Sequence, residues 1–373
     1  MLRKRDIEIE VITTLPNRYA GFSAEAPAFE QDGNVTIHRV ALPAHESGMA
    51  DQTRAFGAFY RAARQLVRGR QFDGVFATSS RLFTAFLGAR IARSLKVPLY
   101  LDIRDIFVDT LNDVLPKKVT WAASPVLNQV ERYTFNRAGR INLVSEGFAD
   151  YFRSRYPNTE YRWFTNGIDQ EFLNATPSEV RNLGGEGKLS ILYAGNIGEG
   201  QGLHKIVPLL ASELVDKAKF EVIGAGGRLG HLTDACSSAE NVTLAPPVSR
   251  SELVDAYRRA DVLFLHLNDY EAFKKVLPSK IFEYAALGKP ILAGVGGYAA
   301  EFVREHVSNA EVFEPGDVTG AVAAFERLSL REEPRTDFIS RFARVQIMNE
   351  MADDIVSFMQ DSKRELMRGA QGG

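Results

Sequence analysis

The chain has 373 residues, 45% of them hydrophobic and 25% charged, with 45 Lys and Arg against 47 Asp and Glu. That length is too great for one ordinary core and argues for two domains, while the near-balanced charge carries no nucleic-acid footprint and leaves any anionic partner to local patches. Cys236 is the only cysteine, so intramolecular disulfides and a Cys-based metal site are excluded.

The opening segment, MLRKRDIEIEVITTLP, is basic and then alternates with charge, so it lacks the apolar region of a signal peptide. No apolar run approaches the roughly 20 residues that span a bilayer, and a cytoplasmic location is expected. Short β-rich runs follow at 7–13, 35–42, 74–78, 97–103 and 140–145, separated by stretches of helix length. A second series falls at 189–195, 220–226, 241–246, 260–267, 290–294 and 310–315. Apolar strands alternating with helices predict parallel sheets covered on both faces. The expected division is a first domain over 1–171, a linker over 172–188, a second domain over 189–345, and a helix with a loose tail over 346–373. Two doubly wound α/β domains in tandem would enclose a cleft at the carboxyl ends of their strands.

Several strand ends carry residues suited to chemistry. In the first half, LYLDIRDIF places Asp102, Arg104 and Asp105 just beyond an apolar strand, where they could enter the cleft or cap a helix. VSEGF and TNGID read most simply as an N-cap at Ser145 and a turn at Asn166-Gly167. Arg61, Arg64 and Arg68 share one helix face, either a solvated face or a contact with anionic lipid.

In the second half, YAGNIGEGQGL holds Gly195, Gly198, Gly200 and Gly202 between a strand and a helical pattern. Glycines there let backbone N–H groups approach a phosphate, although a tight βα turn would use them too. Gly224 and Gly226 mark a second turn whose spacing departs from GxGxxG, which disfavours a nicotinamide site. LPSKIFEYAALGKPIL starts a helix at Pro278 and Ser279. Lys280 and Glu283 then lie on one face, as a surface ion pair or as partners for a diphosphate and a ribose. The six histidines have no HxH or HxxxH spacing, so no metal ligand set is expected.

Taken as a set, LDIRDIF, VSEGF, TNGID, YAGNIGEGQGL, VIGAGG, ADVLFLHL and LPSKIFEYAALGKPIL resemble family 4 glycosyltransferases of the GT-B fold over nearly the whole chain. The strongest likeness is to bacterial transferases of N-acetylfucosamine or N-acetylquinovosamine in surface polysaccharide (lipopolysaccharide, O-antigen) synthesis. The resemblance implies retaining, metal-independent and cofactor-free transfer from a UDP-sugar to a polyprenyl-linked or saccharide acceptor, at the inner face of the cytoplasmic membrane. By position it places Gly195, Asn196, Ile197 and Gly198 at the diphosphate, with Gly224 and Gly226 nearby. Pro247 and Val248 would border the base, and Pro278, Ser279 and Lys280 would meet phosphate. Glu283 would hold the ribose, and Arg104 and Asp105 would lie near the reacting sugar.

Three departures from that pattern are visible. The Glu-x7-Glu pair of many members is Lys275 and Glu283 here, and the expected Arg and Lys of the glycine loop are Asn196 and Gln201. Lys274, Lys275 and Lys280 are the replacement cations available, with Lys280 expected to serve. The chain also opens where the first helix of such enzymes should be ending, which predicts a late-assigned start or a reduced first domain. A non-catalytic nucleotide-sugar binder, a UDP-sugar 2-epimerase and a dehydrogenase are the alternatives.

Overall fold

A computed structural model describes the chain apart from residues 17–24, 44–48, 80–81, 107–116, 186 and 372–373. In the second half, β9 (Leu189–Asn196), β10 (Ala218–Ala225), β11 (Val242–Ala245), β12 (Val262–His266), β13 (Ile291–Gly294) and β14 (Ala310–Phe313) form one parallel sheet. Its order is β11-β10-β9-β12-β13-β14, the doubly wound arrangement. Every residue of β12 and β13 is buried, as expected of parallel strands covered on both faces. One apolar layer gathers Ile206, Leu210 and Phe325 on one side of the sheet; the other gathers Tyr257, Phe282 and Phe302.

Strand β9 pairs with β10 along its whole length to Asn196, but with β12 only at Ile191 and Leu192. Beyond those residues β9 and β12 separate, and a crevice opens at their carboxyl ends. This is the point where strand order reverses, the usual ligand position in an open α/β sheet.

The first half is built differently. The strands β4 (Val75–Ser79), β5 (Leu99–Ile103), β6 (Arg140–Leu143) and β7 (Glu160–Arg162) make a four-stranded parallel sheet, and the two-residue β8 (Arg181–Asn182) follows them. A separate sheet holds β1 (Ile9–Thr14) beside β3 (Val35–Val40), with β2 (Phe29–Asp32) antiparallel to β3. Among the described residues β1 and β4 share no ladder, although Ile12 and Val75 pack on the same cluster of Ala63, Val67, Leu87 and Ile91. Strand β2 escaped the sequence reading because FEQD is polar and largely exposed. The turn before β3 is Gly33-Asn34, with Gly33 at φ 59, a usable hairpin signal.

Two features join the halves. Ile168 N–H donates to Phe342 O at 2.8 Å and Arg344 N–H donates to Ile168 O at 3.0 Å. A Cβ on Gly167 would lie 2.6 Å from the Arg344 Cα, so glycine is needed there for close approach, not for a turn conformation. The 28-residue helix Arg344–Gln371 then returns across the first half. Its Asp354 accepts from Tyr100 Oη at 2.9 Å, Arg140 Nη1 at 2.8 Å and Arg162 Nε at 3.0 Å.

Candidate functional site

The crevice beyond β9 is shaped by its glycines. Gly195 adopts φ 145, and a Cβ there would lie 2.1 Å from Lys280 Nζ. The loop that follows is held by Gln201, whose Oε1 accepts from Asn196 Nδ2 at 2.8 Å and from Gly198 N–H at 3.2 Å. Ile197 turns its side chain into the core, leaving only its backbone at the loop. The glycines of the second turn serve the first. A Cβ on Gly224 would meet Gly195 O at 1.9 Å, and one on Gly226 would meet Ile197 O at 2.4 Å. The structure gives these two residues a packing reason that needs no ligand. Arg228, in that second turn, pairs with Glu199 of the first loop at 2.6 Å, clasping the turns together.

His266, at the end of β12, supports the loop from below. Its Nδ1 lies 2.7 Å from Gln201 O, while Gly316 N–H donates to its Nε2 at 3.0 Å. The two contacts assign the neutral ring with Nδ1–H as donor. Burial pushes its pKa down to about 4.

Lys280 opens the helix Lys280–Ala286. Its ammonium stands 5.5 Å from the centre of the Tyr193 ring, and among the described residues it makes no hydrogen bond or salt bridge. The surface ion pair with Glu283 is therefore not formed. Burial lowers the Lys280 pKa, opposed by the nearby Glu283 carboxylate. Burial in turn raises that of Glu283, opposed by Lys280, Arg250 and Arg344. Both groups sit part-shielded from water with little to offset their desolvation, the state of a pocket suited to a charged, hydroxyl-bearing ligand. Tyr257 Oη donates weakly to Glu283 Oε2 at 3.5 Å.

The other two lysines are engaged elsewhere. Lys274 pairs with Glu271 at 2.5 Å. Lys275 lies 5.5 Å over the Tyr151 ring of the first half. Pro278 is half-buried and Ser279 exposed at the helix start, with no side-chain cap bond from Ser279. Pro247 and Val248 lie in an exposed loop ahead of Ser249, which caps the helix Arg250–Arg259 in a capping box with Glu252.

On the facing half, Asp102 is buried and accepts from Thr78 Oγ1 at 2.8 Å, Asn142 Nδ2 at 2.8 Å and Arg104 Nε at 3.1 Å. Arg104 extends Nη1 to Asn166 Oδ1 at 3.2 Å. Three residues on, Asp169 pairs with Arg250 and, at 2.5 Å, with Arg344, and its charge acts on Glu283. The 166–169 segment thus links Arg104 to the Glu283 side. Asp105 is half-buried beside Ser79, Ile103 and Tyr151. Ser145 precedes a short 3-10 turn but does not cap it; its Oγ donates to Lys275 O at 2.6 Å instead. Tyr193, Tyr257, Asp169, Arg250 and Arg344 were not marked by any local pattern, since each acquires its role through contacts far away in sequence. Among the described residues no group of three or more His, Cys, Asp or Glu could hold a metal ion.

Comparison with known proteins adds the following. Residues 1–167 match the family described as glycosyl transferase 4-like domain, and residues 178–344 match glycosyl transferases group 1. D-inositol 3-phosphate glycosyltransferase of Mycolicibacterium vanbaalenii is 34% identical over 107 residues, covering 27% of this chain and 23% of the relative, so the match spans under a quarter of that protein. Among solved structures, sucrose-phosphate synthase from Thermosynechococcus elongatus superposes with a TM-score of 0.71 at 14% identity, covering 94% of this chain and 89% of the other. The α,α-trehalose 6-phosphate synthase of Burkholderia multivorans gives 0.66 at 12% identity, covering 98% and 99%. Anabaena HepE, solved with UDP and glucose, gives 0.61 at 14% identity, covering 86% of each chain. At such identities these structures show a shared two-domain GT-B fold.

Proposed function

Because its two halves belong to the glycosyl transferase 4-like and glycosyl transferases group 1 families, we propose that the chain is a retaining glycosyltransferase that moves a sugar from a UDP-linked donor. The observation that carries this reading is the unpaired ammonium of Lys280 against Gly195, at the crevice where β9 and β12 part. A diphosphate placed there would meet Lys280 and the N–H groups of the 195–198 loop, supplying the counter-charge that Asn196 and Gln201 cannot. Glu283 is within one turn of Lys280 and suits the hydroxyls of a ribose. HepE, which shares the fold, has been solved with UDP and with UDP-glucose, which supports UDP as the nucleotide.

Glycosyl transfer must stabilise a departing diphosphate and a sugar with oxocarbenium character. Lys280 would act on the first. Arg104 and Asp105 stand on the first half, where they would orient the reacting sugar and its acceptor. An N-acetylated amino sugar is the donor we favour, with a polyprenyl-linked or saccharide acceptor of surface polysaccharide synthesis, on the motif likeness described above.

A panel of nucleotides and nucleotide sugars tested by thermal shift checks the donor. UDP and one UDP-sugar should raise the melting temperature, while GDP, ADP and NAD should not. UDP release that depends on an added acceptor would establish transfer; stabilisation by UDP without any release would leave a binding protein.

A further inference from the structure

Charge is unevenly spread in this chain of net charge -2. Residues 49–96 hold nine Lys and Arg against only Asp51 and Asp73. Asp73 is taken by Lys363 at 2.7 Å. This segment contributes the helices Met49–Leu66 and Leu82–Leu95, and a third helix, Lys117–Phe135, packs beside the second. The acidic residue of that third helix, Glu131, is buried and accepts from the hydroxyls of Tyr151 and Tyr156 at 2.9 and 2.8 Å, so it does not offset the outer charge.

Aromatic rings bind the three helices into one stripe. Tyr60 stacks on Phe86 at 6.5 Å, and Phe86 meets Tyr133 edge-on at 5.6 Å. Arg90 lies 5.9 Å from the centre of the Tyr133 ring. Arg64 lies 5.9 Å from the centre of the Tyr60 ring and Arg93 5.8 Å from that of Tyr133. Arg61, Arg64 and Arg93 are exposed, as is Arg68, which lies past the end of the Met49–Leu66 helix and so does not share its face as expected. Val126, two turns before Tyr133 on its helix, is 66% exposed.

We propose that this three-helix face seats the protein on an anionic bilayer surface, with Arg61, Arg64 and Arg93 engaging lipid phosphates. Charge complementarity selects the occupant. Each arginine near an anionic leaflet contributes about a fivefold gain in binding, and guanidinium groups pair with phosphate through paired N–H donors. The rings pack on one another, Tyr60 on Phe86 and Phe86 on Tyr133, and so leave little free face for stacking bases, which disfavours single-stranded nucleic acid. The half-buried Tyr60, with an apolar body and a polar tip, suits the headgroup boundary. The inference deepens the proposed function by giving the side on which a lipid-carried acceptor would arrive, but the binding itself requires no turnover.

Co-sedimentation of the full chain with vesicles tests it. Vesicles containing about one-third phosphatidylglycerol should bind the protein at low salt and release it near 0.5 M salt, because exposed charges are screened. Pure phosphatidylcholine vesicles should not bind it. The variant R61Q/R64Q/R93Q should lose about a hundredfold in partitioning, while keeping its circular dichroism, melting temperature and response to UDP. Absence of binding to the anionic vesicles, equal binding by the variant, or displacement by single-stranded RNA at equal charge would overturn the proposal. Vesicle binding without any UDP response would uphold the face and count against the donor reading; the reverse would do the opposite.

Discussion

Lys280 and Gly195 are matched to each other: a methyl group on Gly195 would sit 2.1 Å from Lys280 Nζ, in the space the ammonium occupies. The lysine thus reaches the loop only because residue 195 has no side chain. That geometry makes the expected behaviour of Lys280→Ala two-sided. Nucleotide affinity should fall by about ten- to a hundredfold, the loss of one charge-assisted contact. The ligand-free protein should be no less stable, because a part-shielded cation without a partner is removed. Titration calorimetry with UDP and thermal melts of both proteins would check this; unchanged affinity would move the phosphate contact elsewhere.

Glu283→Gln should weaken UDP about tenfold and reduce its preference over 2′-deoxy-UDP, if the carboxylate accepts from the ribose hydroxyls. Competition between the two nucleotides measures it. An undiminished preference would take the ribose away from Glu283.

Gly224→Ala tests the packing role of the second turn. The added Cβ would lie 1.9 Å from Gly195 O, a backbone atom that can yield only if the first loop moves. A stability loss of about 3 kcal/mol is expected from such overpacking, read by urea denaturation. A variant as stable as the parent would show that the two turns are loosely held.

The His266 ring predicts a pH dependence. Its folded pKa is pushed down to about 4 from the ordinary 6.5, so the unfolded chain binds the proton more readily. Stability is therefore complete above about 6.5 and falls as pH drops toward 4, by about 3 kcal/mol in all. His266→Gln can keep both hydrogen bonds without titrating, and its melting temperature should depend less steeply on pH over that interval. Equal slopes would rule out His266 as the source.

Asp354→Ala removes the acceptor shared by Tyr100, Arg140 and Arg162. Both arginines keep Glu160, so the loss of the shared Asp354 acceptor should cost about 2 kcal/mol and expose the Arg344–Gln371 helix to proteolysis. Unaltered cleavage would mean that apolar contacts such as Tyr100 with Phe358 hold the helix by themselves.

The eleven runs expected to be strands all occur; β5, β12 and β13 are buried throughout, and such burial leaves an apolar signature that needs no partner to be read, whereas β1, β3, β4 and β11 are only partly buried. The short strands β2 and β7 left no such trace. The glycine loop was legible for the same local reason. The meaning of Gly167 and Ser145 was not. A turn and an N-cap were expected from neighbours in sequence, whereas the real contacts are with Arg344 and Lys275.

The sequence by itself determined that this protein has two α/β halves, a glycine loop after the first strand of the second half, and no arginine or lysine at positions 196 and 201 of that loop. It left three lysines as candidates for the missing charge. Only the tertiary structure separated them: Lys274 is held by Glu271, Lys275 turns to Tyr151, and Lys280 enters the space above Gly195. The choice depends on where β9 and β12 part and how the Lys280–Ala286 helix is set against them. Those are contacts between residues some 70 to 85 positions apart, which strand and helix periodicity does not encode.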